Sequence, residues 1–104
     1  MRKIRLMIDL NDSDYKNIAE KLLAAIGCSE YYNGALEYDT ADYNCVLRAT
    51  LIIYRQPLLD PADASQAARS ITDIVPVWWE FHLYDVFGEQ LNGFSWRELK
   101  EYLI

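Results

Sequence analysis

The chain has 104 residues, of which 52% are hydrophobic and 25% charged, and its formal net charge at pH 7 is −6. This length predicts a single domain with a core large enough to fold without disulfides or metal. The acidic balance disfavours direct binding to nucleic acid, because a negative surface repels the phosphate backbone, and it favours a basic protein as partner.

A strand and a helix are predicted at the start of the chain. Apolar and polar residues alternate over residues 3–10, which predicts a first strand with one buried face. The next four residues, 11–14, all suit the N-cap of a helix, and Gly27 suits its C-terminal end. Between them lies an apolar stripe with helical spacing, formed by Tyr15, Ile18, Ala19, Leu22, Leu23 and Ile26.

The middle of the chain predicts strands. Asn33-Gly34 is a turn signal, and residues 35–38 form a short edge strand after it. Residues 43–55 predict a clearer strand, because the odd positions from 45 to 53 are all apolar. A short helix is expected from about residue 60 to 70, where an Asp-Pro pair resembles a helix start.

The most informative segment is the long apolar strand predicted over residues 74–87. Its odd positions form the expected buried face: Val75, Val77, Trp79, Phe81, Leu83, Asp85 and Phe87. Its even positions mix apolar with polar side chains and predict a half-wet face: Trp78, Glu80, His82 and Tyr84. If this strand pairs antiparallel with residues 43–55, face parity sets Arg48 opposite Glu80.

A turn region and a last helix complete the chain. Residues 88–93, between two glycines, predict the turn, and Ser95 with Glu98 predicts a reciprocal capping box. Two amphipathic helices need an apolar sheet face to cover. The predicted fold is therefore an α+β two-layer sandwich, with a mainly antiparallel sheet of three to four strands packed by two amphipathic helices.

Signals for chemistry are weak. His82 is the only histidine, and although Glu80 lies nearby on the same strand face, no nucleophile or metal-binding signature accompanies them. Asp12 and Asp14 fit helix capping better than calcium binding. We therefore predict no catalytic residue, no metal and no cofactor. Cys28 and Cys45 are expected to be reduced thiols, with a disulfide between them as the alternative.

Two surfaces are candidates for a partner. Tyrosines alternate with acids over residues 30–43, which suits an interface, although Tyr38 and Tyr43 can instead pack over the end of the core. The second surface is the mixed sheet face, which adds Arg48, Thr50, Ile52 and Tyr54 to the half-wet face. Three outcomes are expected for that face: it is covered by a helix, it forms a homodimer, or it binds another protein.

The sequence thus favours a small acidic, non-enzymatic protein-interaction module: an adaptor, inhibitor or accessory protein. The predicted contacts are Tyr31, Tyr32, Tyr38, Arg48, Trp78, Glu80, His82 and Tyr84, and the partner is a protein, basic or a second copy of the chain. One alternative is a small-molecule-binding or enzymatic domain using Arg48, Glu80 and His82. Another is a DNA mimic. With no apolar run long enough for a membrane span or signal peptide, we expect a cytoplasmic protein, and the compact frame suggests a bacterial one.

Overall fold

A computed structural model describes residues 7–56 and 70–104. Its elements are α1 (Asp12–Ile26), β1 (Tyr31–Asp39), β2 (Asn44–Arg55), β3 (Ile71–Asp85), β4 (Gly88–Gln90) and α2 (Trp96–Leu103). The strands form one antiparallel sheet in the order β1-β2-β3-β4, which confirms the predicted α+β sandwich. The helix predicted near 60–70 and residues 3–6 of the strand predicted over 3–10 lie outside the described residues, and residues 7–10 do not form a strand. From that strand, Ile8 forms an isolated parallel bridge with Asn92.

Helix α1 begins at a full capping box. The Asn11 side chain accepts the Asp14 N–H at 2.8 Å, and the Asp14 carboxylate accepts the Asn11 N–H at 3.0 Å. At the other end Gly27 adopts φ 55°, a conformation that glycine reaches at low cost. The predicted apolar stripe is buried at Tyr15, Ile18, Ala19, Leu22 and Ile26, so this helix is confirmed.

The two helices cover one side of the sheet, here called the core face. Its buried strand residues are Tyr38, Cys45, Leu47, Ala49, Leu51, Ile53, Ile74 and Leu83. The odd positions of β2 are therefore all buried, as predicted. The even positions of β2 and their strand neighbours make up the opposite side, the outer face. Arg48 pairs with Glu80 across β2 and β3, and this predicted register is also confirmed.

A β-bulge at Val77 overturns part of the predicted face of β3. Thr50 pairs with Trp78 and Leu51 with Pro76, so Val77 is the extra residue. The prediction that Val75 and Val77 are buried is wrong, because the bulge reverses the parity of β3 on its N-terminal side. Ile74 faces the core instead, and Val75 lies on the outer face with 38% of its surface exposed.

The turn predicted at Asn33-Gly34 is also wrong, because both residues lie inside β1. Gly34 faces the core side of the sheet, opposite Ala49. A Cβ at this position would lie 3.0 Å from the Tyr32 hydroxyl oxygen. Glycine thus serves here to let the Tyr32 ring lie across the strand. The chain turns later, at Thr40, whose N–H donates to the Tyr43 carbonyl at 2.8 Å.

The end of β3 differs from the prediction as well. The strand stops at Asp85, and Val86 and Phe87 form the tip of a hairpin rather than its buried face. Phe87 is 88% exposed. Residues 88–90 of the predicted turn region are strand β4, because Gly88 adopts φ 111° and returns the chain directly beside β3.

Helix α2 begins at Ser95, whose hydroxyl accepts the Glu98 N–H at 3.3 Å. The predicted capping box would also have the Ser95 N–H donate to the Glu98 side chain. In the structure, the Ser95 N–H donates instead to the Tyr15 hydroxyl at 3.0 Å. That hydroxyl lies 3.4 Å from the Gly93 carbonyl. A buried tyrosine of α1 therefore helps to cap α2, which buries Leu99 and Leu103 on the core face.

Candidate functional site

The outer face is the surface on which most predicted contact residues meet. It is formed by the odd positions of β1, the even positions of β2 and their partners on β3 and β4. Five of its apolar side chains are between 38% and 59% exposed. Both described helices lie on the other side of the sheet. The predicted outcome in which a helix covers this face is therefore not met by either of these two helices.

Five exposed apolar side chains lie together at one end of the outer face, whereas Tyr84, which is 37% exposed, lies at the other end. This apolar half consists of Tyr31, Ile52, Tyr54, Val75 and Trp78. Tyr31, Ile52 and Val75 form one row across three strands. Trp78 follows along β3 and pairs with Thr50, whose hydroxyl donates to the Asn33 side chain at 3.1 Å. Exposed aromatic and aliphatic side chains in one contiguous set are typical of a contact surface.

The other end of the outer face carries charges. This acidic half consists of Glu37, Asp39, Glu80 and Glu89, with Arg48, His82 and Tyr84 among them. The Arg48 Nε lies 3.9 Å from a Glu80 carboxylate oxygen, and the other oxygen of that carboxylate lies 3.3 Å from His82 Nε2. His82 Nδ1 contacts the Glu89 carboxylate on β4. Arg48, Glu80, His82 and Glu89 therefore form a line of alternating charge across three strands.

This line of charges favours the charged form of His82. The hydrogen bond with Glu89 and then that with Glu80 raise the pKa of His82 above its usual value of 6.5, because both carboxylates favour the imidazolium. One ring nitrogen contacts Glu80 and the other contacts Glu89. The arrangement is therefore suited to presenting charge and to joining β4 to β3.

Two predicted contacts lie on the other side of the sheet. Tyr38 is buried in the core, where its hydroxyl donates to the Asp14 carboxylate at 3.0 Å and accepts from the Asn17 side chain at 3.3 Å. Burial is the main cause that raises the pKa of Tyr32, which is half-buried over Gly34. Because successive residues of a strand face opposite sides, Tyr31 is the one of these three tyrosines that joins the outer face.

The outer face also contains residues that the predicted site lacked. Val75 was assigned to the buried side, and its place on the outer face depends on the bulge at Val77. Glu89 lay in a predicted turn, and it reaches His82 because β4 pairs with the end of β3. The alternation of apolar and polar residues predicted neither position. The bulge at Val77 places Val75 on the outer face, and the hairpin between β3 and β4 brings Glu89 beside His82.

Among residues 7–56 and 70–104, no strand pairs with the edge of β3 that precedes its pairing with β4, here called the free edge, and it offers few donors to another strand. The Ile53 N–H donates to the Glu30 carbonyl at 2.8 Å on the β1 side, so Ile74, opposite Ile53, directs its own N–H toward the free edge. There the N–H is taken by the Asp73 carboxylate at 2.9 Å, which also binds Lys100 at 2.6 Å. Pro76, two residues on, faces the same way and has no N–H. Strand addition at this part of β3 is therefore disfavoured.

Two depressions and two cysteine thiols of the described residues lie outside this line of charges. Two depressions lie away from His82: a shallow one beside Tyr31 and Tyr54, and a small one between the start of α1 and the sheet. Cys28 is exposed and Cys45 is buried, and both are free thiols. Burial raises the pKa of the Cys45 thiol to about 11, which leaves it protonated and unreactive at neutral pH.

Comparison with known proteins adds no functional assignment. No protein-family model matches the chain, and neither a curated protein nor a solved structure shows significant similarity to it. Among residues 7–56 and 70–104, no helix is long and apolar enough to cross a membrane. Nor does that part of the chain contain a group of three or more His, Cys, Asp or Glu side chains placed to hold a metal ion.

Proposed function

We propose that this protein is a non-enzymatic protein-interaction module whose contact surface is the outer face. One observation carries the proposal: the apolar half is exposed and contiguous on one side of the sheet, while both described helices pack on the other. Burial in this domain's own core does not account for five exposed apolar side chains in adjoining rows. Contact with another protein does, because such anchors are enriched at the centres of interfaces.

The charges of the outer face support a basic partner. Five carboxylates lie on this face by strand register. Asp73 contacts Lys100 at 2.6 Å, and the other four, Glu37, Asp39, Glu80 and Glu89, share the face with one arginine and one histidine. A face with this surplus of acid is a poor match for a second copy of itself, since like charges oppose each other across a two-fold axis. The two free thiols suit a reducing compartment, so the proposal places the module in the cytoplasm.

The predicted alternative, a small-molecule or enzymatic site at Arg48, Glu80 and His82, receives less support. The ring nitrogens of His82 already contact two carboxylates, and the two described depressions lie elsewhere on the surface. A DNA mimic would need carboxylates free to imitate phosphates. Here Glu80 and Glu89 are engaged by Arg48 and His82, and the apolar half has no counterpart in DNA.

The proposal is tested by selecting peptides from a random 16-residue display library on the immobilised protein, and measuring their affinities by calorimetry. Trp78→Ser is expected to weaken the selected peptides by at least about tenfold, because it removes a central aromatic anchor. Ile104→Ser is the control, since Ile104 is also an exposed apolar residue but lies at the end of α2. Its effect should stay below about twofold.

Two results would overturn the proposal. Selected peptides that lose equal affinity in both variants do not use the outer face. A wild-type dimer in light scattering that Trp78→Ser converts to monomer would instead make this face a self-association surface. A monomer in both proteins, with peptides sensitive only at Trp78, is the result that the proposal expects.

A further inference from the structure

We infer that the outer face is built to receive a single amphipathic helix of a partner protein, with apolar side chains along one half of its length and basic side chains along the other. This inference rests on the proposed function and specifies the partner. It follows from three features of the described sheet: its width, the poor supply of hydrogen-bond donors at its edge, and the separation of the apolar half from the acidic half.

The width of the face matches one helix. Three strands, β1, β2 and β3, make up most of it, and two strand spacings amount to about 10 Å. A helix with its side chains is about 10 to 12 Å across. On the core side of the same sheet, helices already provide the second layer of the sandwich. A partner helix on the outer face would complete a third layer, which is a common way to cover an exposed apolar sheet face.

The outer edges of β1 and β3, with which no described strand pairs, disfavour the other frequent mode of recognition, the addition of a partner's strand. On β3, Asp73 takes the outward N–H of Ile74, and Pro76 has none to offer. On β1, the Glu37 carbonyl faces outward and accepts from the Lys21 ammonium at 3.1 Å. A strand docking at either edge would lose part of its hydrogen-bond ladder, whereas a helix needs no backbone contact from the sheet.

The separation of the halves sets the chemistry of the helix. Along β2, Ile52 and Tyr54 lie in the apolar half, while Arg48 and Val46 lie among the acids. The 12 residues of β2 span about 40 Å, so a helix of about 20 residues, about 30 Å long, reaches both halves. Its apolar side chains would meet Tyr31, Tyr54 and Trp78. Its lysines or arginines would meet Glu37 and Asp39 at the outer edge of the acidic half.

The test uses designed 20-residue peptides titrated into the isotopically labelled protein. Two peptides carry the segregated pattern, with the basic half first or last along the chain. A third has the same composition with basic and apolar residues mixed along its length, and a fourth is the segregated peptide with a central proline. The better segregated peptide is expected to bind at least about tenfold more tightly than the mixed and proline peptides. Shift changes should map to both halves of the outer face.

Matched charge variants examine the acidic half. Glu37→Gln removes one charge from this half and should weaken the segregated peptide roughly threefold at low salt, with little effect at high salt. Glu20→Gln is the control, because Glu20 is an exposed acid on α1, and it should leave the affinity unchanged. Circular dichroism of the complex should show helix gained by the peptide.

The outcomes separate this inference from the proposed function. If mixed and segregated peptides bind the outer face equally, the helix assignment is wrong while the interaction module stands. If shift changes map to α1 and α2, both are wrong. If no peptide perturbs the outer face at millimolar concentration, the helix assignment is overturned, and the display selection alone decides the module. Protection of the Trp78 indole in the isolated protein would mean that the face is already covered.

Discussion

The core face and the outer face are made by alternate residues of the same strands, but they differ in how far their apolar side chains are buried. On the core face, Leu51 and Ile53 are at most 3% exposed and belong to the buried cluster that also contains residues of both helices. On the outer face, their neighbours Ile52 and Tyr54 are 38% and 51% exposed. The core face accounts for the stability of the fold. The outer face retains apolar and charged side chains that the fold does not need, and such surplus marks a surface available for binding.

The sharpest way to break this comparison is to truncate neighbouring residues of β2. Leu51→Ala is expected to lower the free energy of unfolding by about 3 kcal/mol, because Leu51 is fully buried. Ile52→Ala should cost less than about 1 kcal/mol, since its side chain already contacts water. Urea unfolding monitored by circular dichroism measures both. Equal losses would show that the outer face is covered in solution.

The adjacent tryptophans of β3 give a smaller contrast. Trp79 pairs with Ala49 on the core face, and its ring meets Phe94 with centroids 5.3 Å apart, but it remains 39% exposed. Trp79→Ala should therefore cost about 2 kcal/mol, less than a fully buried aromatic residue. Trp78→Ala should cost under about 1 kcal/mol. If Trp78→Ala proves the more destabilising, the assignment of the two faces is wrong at the bulge.

His82 allows the acidic half to be examined through pH. Its folded pKa is raised, so its contribution to stability is complete below the unfolded pKa, about 6.5, and is lost as pH rises through the folded value. The contribution should be under about 1 kcal/mol, because the side chain is partly exposed. As the only histidine, His82 gives a single imidazole signal for titration by magnetic resonance.

A matched variant tests the cause of that shift. Glu89→Gln removes the carboxylate whose hydrogen bond is the main reason for the raised pKa, so the titration midpoint should move down toward 6.5. Glu101→Gln, on the exposed side of α2, should leave it unchanged. A wild-type midpoint at or below 6.5 would contradict the line of charges described for the outer face.

The smallest effect on stability is expected at the free edge of β3. Asp73→Ala frees the Ile74 N–H, and Pro76→Ala adds an N–H that faces the same way. The double variant should self-associate at lower protein concentration than the wild type in light scattering, because the edge then offers two neighbouring donors. If it stays monomeric at every concentration at which the wild type does, the edge is protected by something else.

The sequence predicted what depends on local periodicity. The stripe of α1, the buried parity of β2 and the Arg48–Glu80 pair follow from spacings of 3.6 and 2 residues, and the structure confirms each of them. On the C-terminal part of β3, Leu83 is buried and Phe81 half-buried as predicted, whereas Trp79, on the same side, is 39% exposed and its predicted burial is wrong. The confirmed features are robust because a wrong register would expose an entire apolar face to water.

The errors occurred where a single residue changes the backbone. Nothing in the alternation around Pro76 indicates that Val77 is an extra residue, so the faces of Val75 and Val77 were reversed. Asn33-Gly34 has the composition of a turn, but the glycine makes room for the Tyr32 ring within β1. The site inherited both errors: it lacked Val75, and it placed Tyr32 and Tyr38 beside Tyr31 although they lie on the core side.

The hydrogen bond from the Ser95 N–H to the Tyr15 hydroxyl links the two helices in folding as well as in space. Helix α2 has 8 residues, which is too short to persist by itself in water. Its first turn is held by a side chain of α1, so any fluctuation that releases α1 also removes a cap of α2. Hydrogen exchange should therefore find the amides of both helices opening together, as one cooperative unit formed from distant parts of the chain.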